Sequence, residues 1–494
     1  MDIYKYLVVG ENVRIQEKKL KIMNGVRVIS LQFQGQNIPL IMDKKGDLNN
    51  NHFTVIIGKN ASGKSRILAS ILNKIRIAKN HRLKPLEDSG YLRLWLNNEE
   101  YMISGKSYNP DDFKEINLLS ISNSLFDKFP FSTKSDKNYT YIGQRMIGLS
   151  THRRAIINDV LDVLNDNINT KEYQTKALKL FNFIGIEPFI RIKLRLGTNY
   201  KSIEKNDKHF IDPSSDLRKF LLELSQQRFF QNQSYFLEKK ANDNDFINGL
   251  KEYIQKNLLF FARSNYTETI DYTIDFNSTT KSDHFTQDYE YFSILRRLNL
   301  LSYYSITVRK GNQEFDILES STGQIGLLTT LLRALPHLKD NSIILIDEPE
   351  ISLHPTWQMQ YIELLQNYLS GFSGCHILIA THSHFLLSDL NPDWSSVVTI
   401  EAQKDGLNGE VLEYTPYSWS PEAILYNVFG IKGLRNHYFE YDVRTLLELI
   451  SNNSKNKTKI KNLIEKLEEF KLPQGDPMKT ILDEANYYLD SISK

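Results

Sequence analysis

Several common features are scarce in this chain, and each scarcity removes a class of function. A single cysteine, Cys375, stands among 494 residues. That excludes an internal disulfide and a cysteine-rich metal site, and it fits a reducing compartment. No apolar run approaches the ~20 residues needed to cross a bilayer. The opening "MDIYKYLVVGENVRIQEKK" has neither the basic leader nor the apolar stretch of a secretion signal. Net charge is nearly absent: 61 basic against 59 acidic residues leave +2, so any site for nucleic acid or anionic membrane must be local. No heptad pattern lasts three or four repeats, which excludes a long coiled-coil arm. The expectation is a soluble cytoplasmic protein without a membrane partner. What is present is ordinary globular composition, 41% hydrophobic and 24% charged, enough for roughly two to four domains.

Short β-branched runs bounded by polar turns predict strands at "VRVISLQFQ", "IPLIMD" and "FTVIIG" between residues 27 and 57, and again at "NLLSIS" (117–122). Apolar residues recurring at three and four predict a helix from about 66. From about 150 to 265 helical segments alternate with Asn- and Asp-rich breaks, reading as a compact helical insertion. A hairpin follows in "YYSITVRKG" and "QEFDILES", then a helix, then two apolar strands, "SIILIDE" and "CHILIATHS". Apolar strands alternating with helices imply a mostly parallel sheet covered on both faces, hence an α/β fold. Beyond about 415 the pattern is helical. Asp476 and Pro477 open a last helix with an apolar stripe of Met478, Ile481, Leu482, Ala485 and Leu489. The expected organisation is an N-terminal lobe over 1–150, a mainly helical insertion over 151–290, a second lobe over 291–415 and a helical region over 416–494.

The strongest motif is "GKNASGKS", between the strand "FTVIIG" and a helix. Two glycines with four residues between them, followed by Lys and Ser, let a backbone loop and a helix N-terminus face phosphates. Gly58, Lys59, Asn60, Ala61, Ser62, Gly63, Lys64, Ser65 and Arg66 are therefore candidate ATP-binding residues. Lys64 would reach the β- and γ-phosphates and Ser65 would bind Mg²⁺. In "SIILIDEPEISLHP" an apolar strand delivers Asp347 and Glu348 to the carboxyl edge of the sheet. Asp347 is a candidate for Mg²⁺ and Glu348 for polarising the attacking water. "HILIATHS" ends with Thr381 and His382, and His382 would contact the γ-phosphate; a metal pair with His384 lacks a third ligand. His354 reads as a structural loop residue. Gln144, in "YIGQRMIG" after a strand-like "YTYI", is either an ordinary loop residue or, if the chain resembles an ABC-type ATPase, the Q-loop glutamine which that resemblance implies for Mg²⁺ and water.

The order of these pieces resembles an ABC-type ATPase head: phosphate loop, long insertion, "SSTGQ" opening a helix, strand ending in Asp-Glu, strand ending in Thr-His. The "DEPE.SLHP" run and helical insertion resemble its SMC-like and RecF-like branch. The resemblance implies a P-loop sheet with an antiparallel β lobe. It also places Ser321, Gly323 and Gln324 where the signature motif stands, with departures at Ser320 and Thr322. In such ATPases the signature of one subunit closes over the γ-phosphate held by another, so a homodimer or larger homo-oligomer would share its ATP sites. "ISNSLFDKFP" with "YTYIGQR", and "TPYSWSPEAILYNVFGI" with "RNHYFE", look like the ATPases of antiphage defence operons, nearest to the PtuA ATPases of Septu systems and their retron-associated versions. That family implies a separately encoded HNH nuclease partner and, in retron versions, a reverse transcriptase with its msDNA. Two alternatives stay open: a PARIS-type defence ATPase holding a Toprim effector, and a repair ATPase contacting DNA directly through the insertion or "SKNKTKIKNLIEKLEEFK". A nuclease inside this chain is not expected. No Asp-x-Asp follows His382, and Asp243-Asn244-Asp245 reads as a turn.

Overall fold

In the computed structural model the described residues are 25–42, 48–59, 62–80, 83, 90–97, 99–104, 109–133, 136, 138–143, 152–197, 217–226, 234–261, 269–277, 283–317, 323–403, 406–417, 419, 421–429, 437–470 and 476–492. The chain divides into two compact units, Met1–Tyr417 and Ser418–Lys494. The division falls beside the expected 415/416 boundary.

The first unit contains three sheets. Its strands in chain order are β1 (Val26–Phe33), β2 (Gln36–Pro39), β3 (His52–Gly58), β4 (Leu92–Leu96), β5 (Glu99–Ile103), β6 (Asn117–Ser122), β7 (Tyr139–Gly143), β8 (Phe189–Leu196), β9 (Ile270–Asp275), β10 (Leu301–Lys310), β11 (Gln313–Asp316), β12 (Ser342–Asp347), β13 (His376–Thr381), β14 (Ser395–Gln403) and β15 (Gly406–Val411). The largest sheet runs β15-β14-β3-β13-β12-β6-β7. All its pairs are parallel except the edge pair β14–β15. Strands β6, β12 and β13 are buried along their whole length, as the apolar runs of β12 and β13 predict; β6 buries Asn117, Ser120 and Ser122 with its leucines. Register sets the site: Asp347 is level with Ser122 and Ala380, Thr381 with Ile57, and Ser122 with Gly143. One carboxyl edge therefore collects the ends of five strands.

The antiparallel sheet β2-β1-β4-β5 forms the second layer. The helix Lys64–Lys79 contacts both sheets, which is why so many of its residues are buried, from Ile67 and Leu68 through Ile75 and Ala78. A histidine joins the two sheets. Val28 of β1 donates its N–H to His376 Nδ1 at 2.9 Å, so Nε2 carries the proton toward Thr54 Oγ1, 2.9 Å away. Thr54 donates in turn to the Leu40 carbonyl at 3.0 Å. His376 has no exposure at all; every polar atom of its ring is satisfied in the core.

The stretch expected to be mainly helical holds the helices His152–Asn167, Lys171–Ile184, Leu217–Gln226, Ser234–Ala241 and Asn244–Phe261, but it also holds β8 and β9. They pair with the β10–β11 hairpin in a third sheet, β11-β10-β8-β9. Alternate residues of β8, Ile190, Ile192 and Leu194, are buried, and Arg191 and Lys193 face out. The helix Asp283–Arg297 packs Phe285 and Phe292 against Tyr272 of β9. The 290/291 boundary thus falls inside a helix. Among the described residues no helix is long and apolar enough to cross a membrane.

The second unit contains the helices Pro421–Asn427, His437–Ser451, Lys457–Glu468 and Pro477–Ser491. Its core joins Phe439 and Leu446, Ile460, Ile464 and Leu467, and Met478, Leu482 and Ala485, with Ile481 and Leu489 packed alongside. Asp476 caps the last helix by accepting the Met478 N–H at 2.9 Å, as expected.

Candidate functional site

The site begins where β3 stops. A β-carbon at Gly58 would lie 2.4 Å from the Ile400 carbonyl oxygen, and one at Gly63, whose φ is +91°, would lie 2.7 Å from Leu407 Cδ1. Only glycine passes through both points. Gly63 is the N-cap of the helix Lys64–Lys79, and no side chain caps that helix end. Its first N–H groups thus have no side-chain acceptor. Ser62 is buried and donates its N–H to the Lys59 carbonyl at 3.1 Å. Arg66 holds its guanidinium 5.9 Å from the Phe33 ring centre.

Lys64 and Ser65 then face the ends of β12 and β13. Lys64 Nζ donates to the Gly58 carbonyl at 3.0 Å and the Lys59 carbonyl at 3.3 Å, and lies 2.9 Å from His382 Nε2. Ser65 Oγ donates to Asp347 Oδ1 at 2.9 Å. Glu348 Oε1 is 3.9 Å from His382 Nε2. Glu348 has φ +50°, unusual for a side chain of its size, and its N–H bonds the Ala380 carbonyl at 2.9 Å. The bent backbone sits where strand geometry ends and the carboxylate leaves the sheet edge.

Electrostatics match this crowding. Burial pushes the Asp347 carboxyl up to about 7, with Glu348, Asp127 and Glu350 adding to the rise and the Ser65 hydrogen bond opposing it. Burial brings Lys64 down to about 8, against the pull of Glu348, Glu350 and Asp347. Burial and then Lys64 lower His382, so its imidazole is neutral and can accept from the ammonium. An acid-rich pocket with one buried lysine fits a site that takes up a further cation. Among the described residues no three His, Cys, Asp or Glu are grouped to hold a metal ion.

Three residues that the sequence did not single out belong to this neighbourhood. Glu350 accepts the His382 N–H at 2.6 Å. Asp127 is buried, accepts from Tyr141 Oη at 2.7 Å and raises Asp347. Asn123 donates to the Pro349 carbonyl at 3.2 Å, tying the end of β6 to the turn after β12. "DEPE" contains Glu350, but nothing in its spacing reveals that it turns back on β13.

Gly323, expected to stand in a signature motif, opens the helix Gly323–Ala334. A β-carbon on Gly323 would lie 2.0 Å from the Ser352 carbonyl oxygen, so the helix start packs on the turn that follows Glu348. Gln324 sits half-buried in the first turn. Asn60, Ala61, Gln144 and Ser321 lie outside the described residues. His384 stacks on the neighbouring Phe385 ring, 4.0 Å between centres. His354 caps the helix Pro355–Met359 through Nδ1, which accepts the Thr356 N–H at 3.3 Å, and is a loop residue as expected. Asp243 accepts the Phe246 N–H at 3.1 Å, the expected turn role.

Comparison with known proteins bears on this geometry. Residues 163–388 match the family profile described as "AAA domain, putative AbiEii toxin, Type IV TA system". Over 426 residues the chain is 22% identical to "Retron Vc95 probable ATPase" of Vibrio cholerae serotype O1 biovar El Tor, covering 78% of this chain and 77% of that protein. The chain is similar to an ATPase of the retron type. Over 74 residues it is 34% identical to "Protein ea59" of Escherichia phage lambda, covering 15% of this chain and 14% of that one. Among solved structures it aligns with the Smc head domain of Pyrococcus furiosus bound to the C-terminal domain of ScpA, at 12% identity and TM-score 0.29, covering 78% of this chain and 96% of that one. A second SmcHead, bound to the C-winged helix domain of ScpA, aligns at 11% identity and TM-score 0.27, covering 79% and 97%.

Proposed function

We propose that this protein is an ATPase that binds ATP and Mg²⁺ at the carboxyl edge of its parallel sheet and serves as the nucleotide-dependent subunit of an antiphage defence complex. The observation that carries the reading is the Ser65–Asp347 contact, 2.9 Å, placed beside Lys64 at the start of an uncapped helix. Ser65 and Asp347 are the residues that would hold Mg²⁺. Bound there, the ion would neutralise charge on the phosphates. Lys64, now satisfied by its own loop carbonyls and His382, is free to exchange those contacts for phosphate oxygens. Glu348 accepts a proton from the attacking water, and neutral His382 donates toward the γ-phosphate. Holding the phosphates in line with the attacking water would supply much of the rate, since this chemistry depends on positioning.

The helix from Gly323 presents a partial positive end of roughly half a charge. Together with Ser321, Gly323 and Gln324 it completes the ATP site of a second copy, so that ATP holds two chains together. In this reading the assembly restrains a separately encoded HNH nuclease and, in a retron operon, accompanies the reverse transcriptase and its msDNA; the retron-type relative supports the retron association alone. Sedimentation of Glu348→Gln with and without ATP and Mg²⁺ tests it. The expected result is a shift from monomer to dimer that needs ATP and is lost in Ser321→Arg. Unchanged sedimentation would refute the shared site. Co-purification from the native operon should bring down a small HNH protein; a Toprim protein, or tight DNA binding without any partner, would favour the alternatives.

A further inference from the structure

Glu350 sits in the middle of a turn with left-handed backbone at both ends, φ +50° at Glu348 and +66° at Ser352. Non-glycine residues adopt that conformation only when their surroundings hold them there. Here the turn is tied on every side. Glu348 donates its N–H to Ala380 of β13, Asn123 donates to the Pro349 carbonyl, and Leu353 donates its N–H to the Glu350 carbonyl at 2.9 Å. Gln358 donates to the Leu353 carbonyl at 2.8 Å and accepts the Ser383 hydroxyl at 2.5 Å. Inside this frame the Glu350 carboxylate accepts the His382 N–H at 2.6 Å, a short, charge-assisted bond.

A carboxylate is a costly choice for that acceptor. Asp347 and Glu348 lie close enough to be felt, and burial already penalises the charge. A neutral amide keeps an acceptor for the same N–H, so it separates the acceptor role from the charge. The backbone it grips belongs to the residue whose ring meets Lys64, so a small turn of that peptide would carry the imidazole off its contact.

We propose that Glu350 is a positioning residue: its carboxylate locks the peptide at the end of β13 so that the His382 ring faces Lys64 and the nucleotide. This rests on the ATPase reading given above. The test uses the full chain with Glu350→Ala and Glu350→Gln, in two arms. In steady-state kinetics, Glu350→Ala should lose about tenfold in kcat with KM for ATP nearly unchanged, and Glu350→Gln, which keeps an acceptor, should recover most of that loss. A loss confined to KM, or a Glu350→Gln as poor as Glu350→Ala, overturns the proposal. In amide hydrogen exchange without nucleotide, Glu350→Ala should speed exchange about tenfold at residues 382–383, leave β13 protected, and be reversed by Glu350→Gln. Exchange rising along the whole of β13, or not rising at 382, overturns it equally. The second arm needs no turnover. If the wild-type protein hydrolyses no ATP, the functional reading fails, and exchange still decides whether Glu350 holds this peptide.

Discussion

Replacing Gly323 by alanine probes the join between the helix Gly323–Ala334 and the turn after Glu348. The new carbon would stand 2.0 Å from the Ser352 carbonyl oxygen, 2.7 Å from its carbonyl carbon and 3.0 Å from Leu353 Cα. All three neighbours are backbone, so no rotamer change relieves them. A comfortable carbon–oxygen contact is about 3.3 Å, so the two segments must part by more than about 1 Å. Overpacking of this kind costs about 1–3 kcal/mol. Alanine's advantage over glycine inside a helix, about 1 kcal/mol at most, offsets part of it. The same helix supplies its own control. A β-carbon on Gly326 meets nothing within 4 Å, so Gly326→Ala should gain about 0.5–1 kcal/mol from helix propensity alone. Urea unfolding of the two variants should place Gly323→Ala about 2 kcal/mol below Gly326→Ala. ATP turnover should fall only in the former. If Gly323→Ala proves as stable and as active as Gly326→Ala, the helix start does not press on the turn and the reasoning fails.

Two further predictions concern the frame around the site. Burial, and then Arg27, hold the His52 imidazole down to about 3, whereas the unfolded chain binds that proton below about 6.5. Its contribution is full above 6.5 and is lost as pH falls, by about 1.4 kcal/mol per pH unit. His52→Gln should therefore lose stability less steeply than wild type between pH 6 and 4; parallel slopes would refute this. Arg76 donates to Asp136 at 2.7 Å with both side chains nearly buried, and its guanidinium lies 4.7 Å from the Tyr139 ring centre. Asp136→Ala strands that charge and should cost about 3–5 kcal/mol, with Asp136→Asn costing less; equal stability of all three proteins by denaturation would contradict it.

The parts of this molecule that local chemistry specifies were legible in the sequence. A phosphate loop needs two glycines, a lysine and a serine in fixed order, a pattern read directly from the sequence, and the structure brings Lys64, Ser65, Asp347, Glu348 and His382 to one sheet edge. Strands β12 and β13 announce themselves as apolar runs, and the last helix as a capped stripe. What was missed depends on distant partners. "LRLWL" and "FIRIKLRL" alternate with period two and become β4 and β8, and each finds a partner far away in sequence, β1 and β10 respectively, with "FIRIKLRL" also set among helix-forming segments. The same holds for side chains. Glu350 and Asp127 gain roles only through turns that bring them back to His382 and Asp347, and His376 reads as one more strand residue until Val28 and Thr54 are seen on either side of its ring.

The central claim is that this sheet edge binds and cleaves ATP, and one measurement reaches it directly: equilibrium ATP binding and phosphate release, side by side, for wild type, Lys64→Ala and Glu348→Gln with Mg²⁺ present. The account predicts binding and turnover by wild type and no measurable binding by Lys64→Ala. For Glu348→Gln it predicts retained binding with turnover reduced about 10²–10⁴-fold, the scale of a lost general base. Wild-type affinity in Lys64→Ala, or equal phosphate release from Glu348→Gln and wild type, would contradict it.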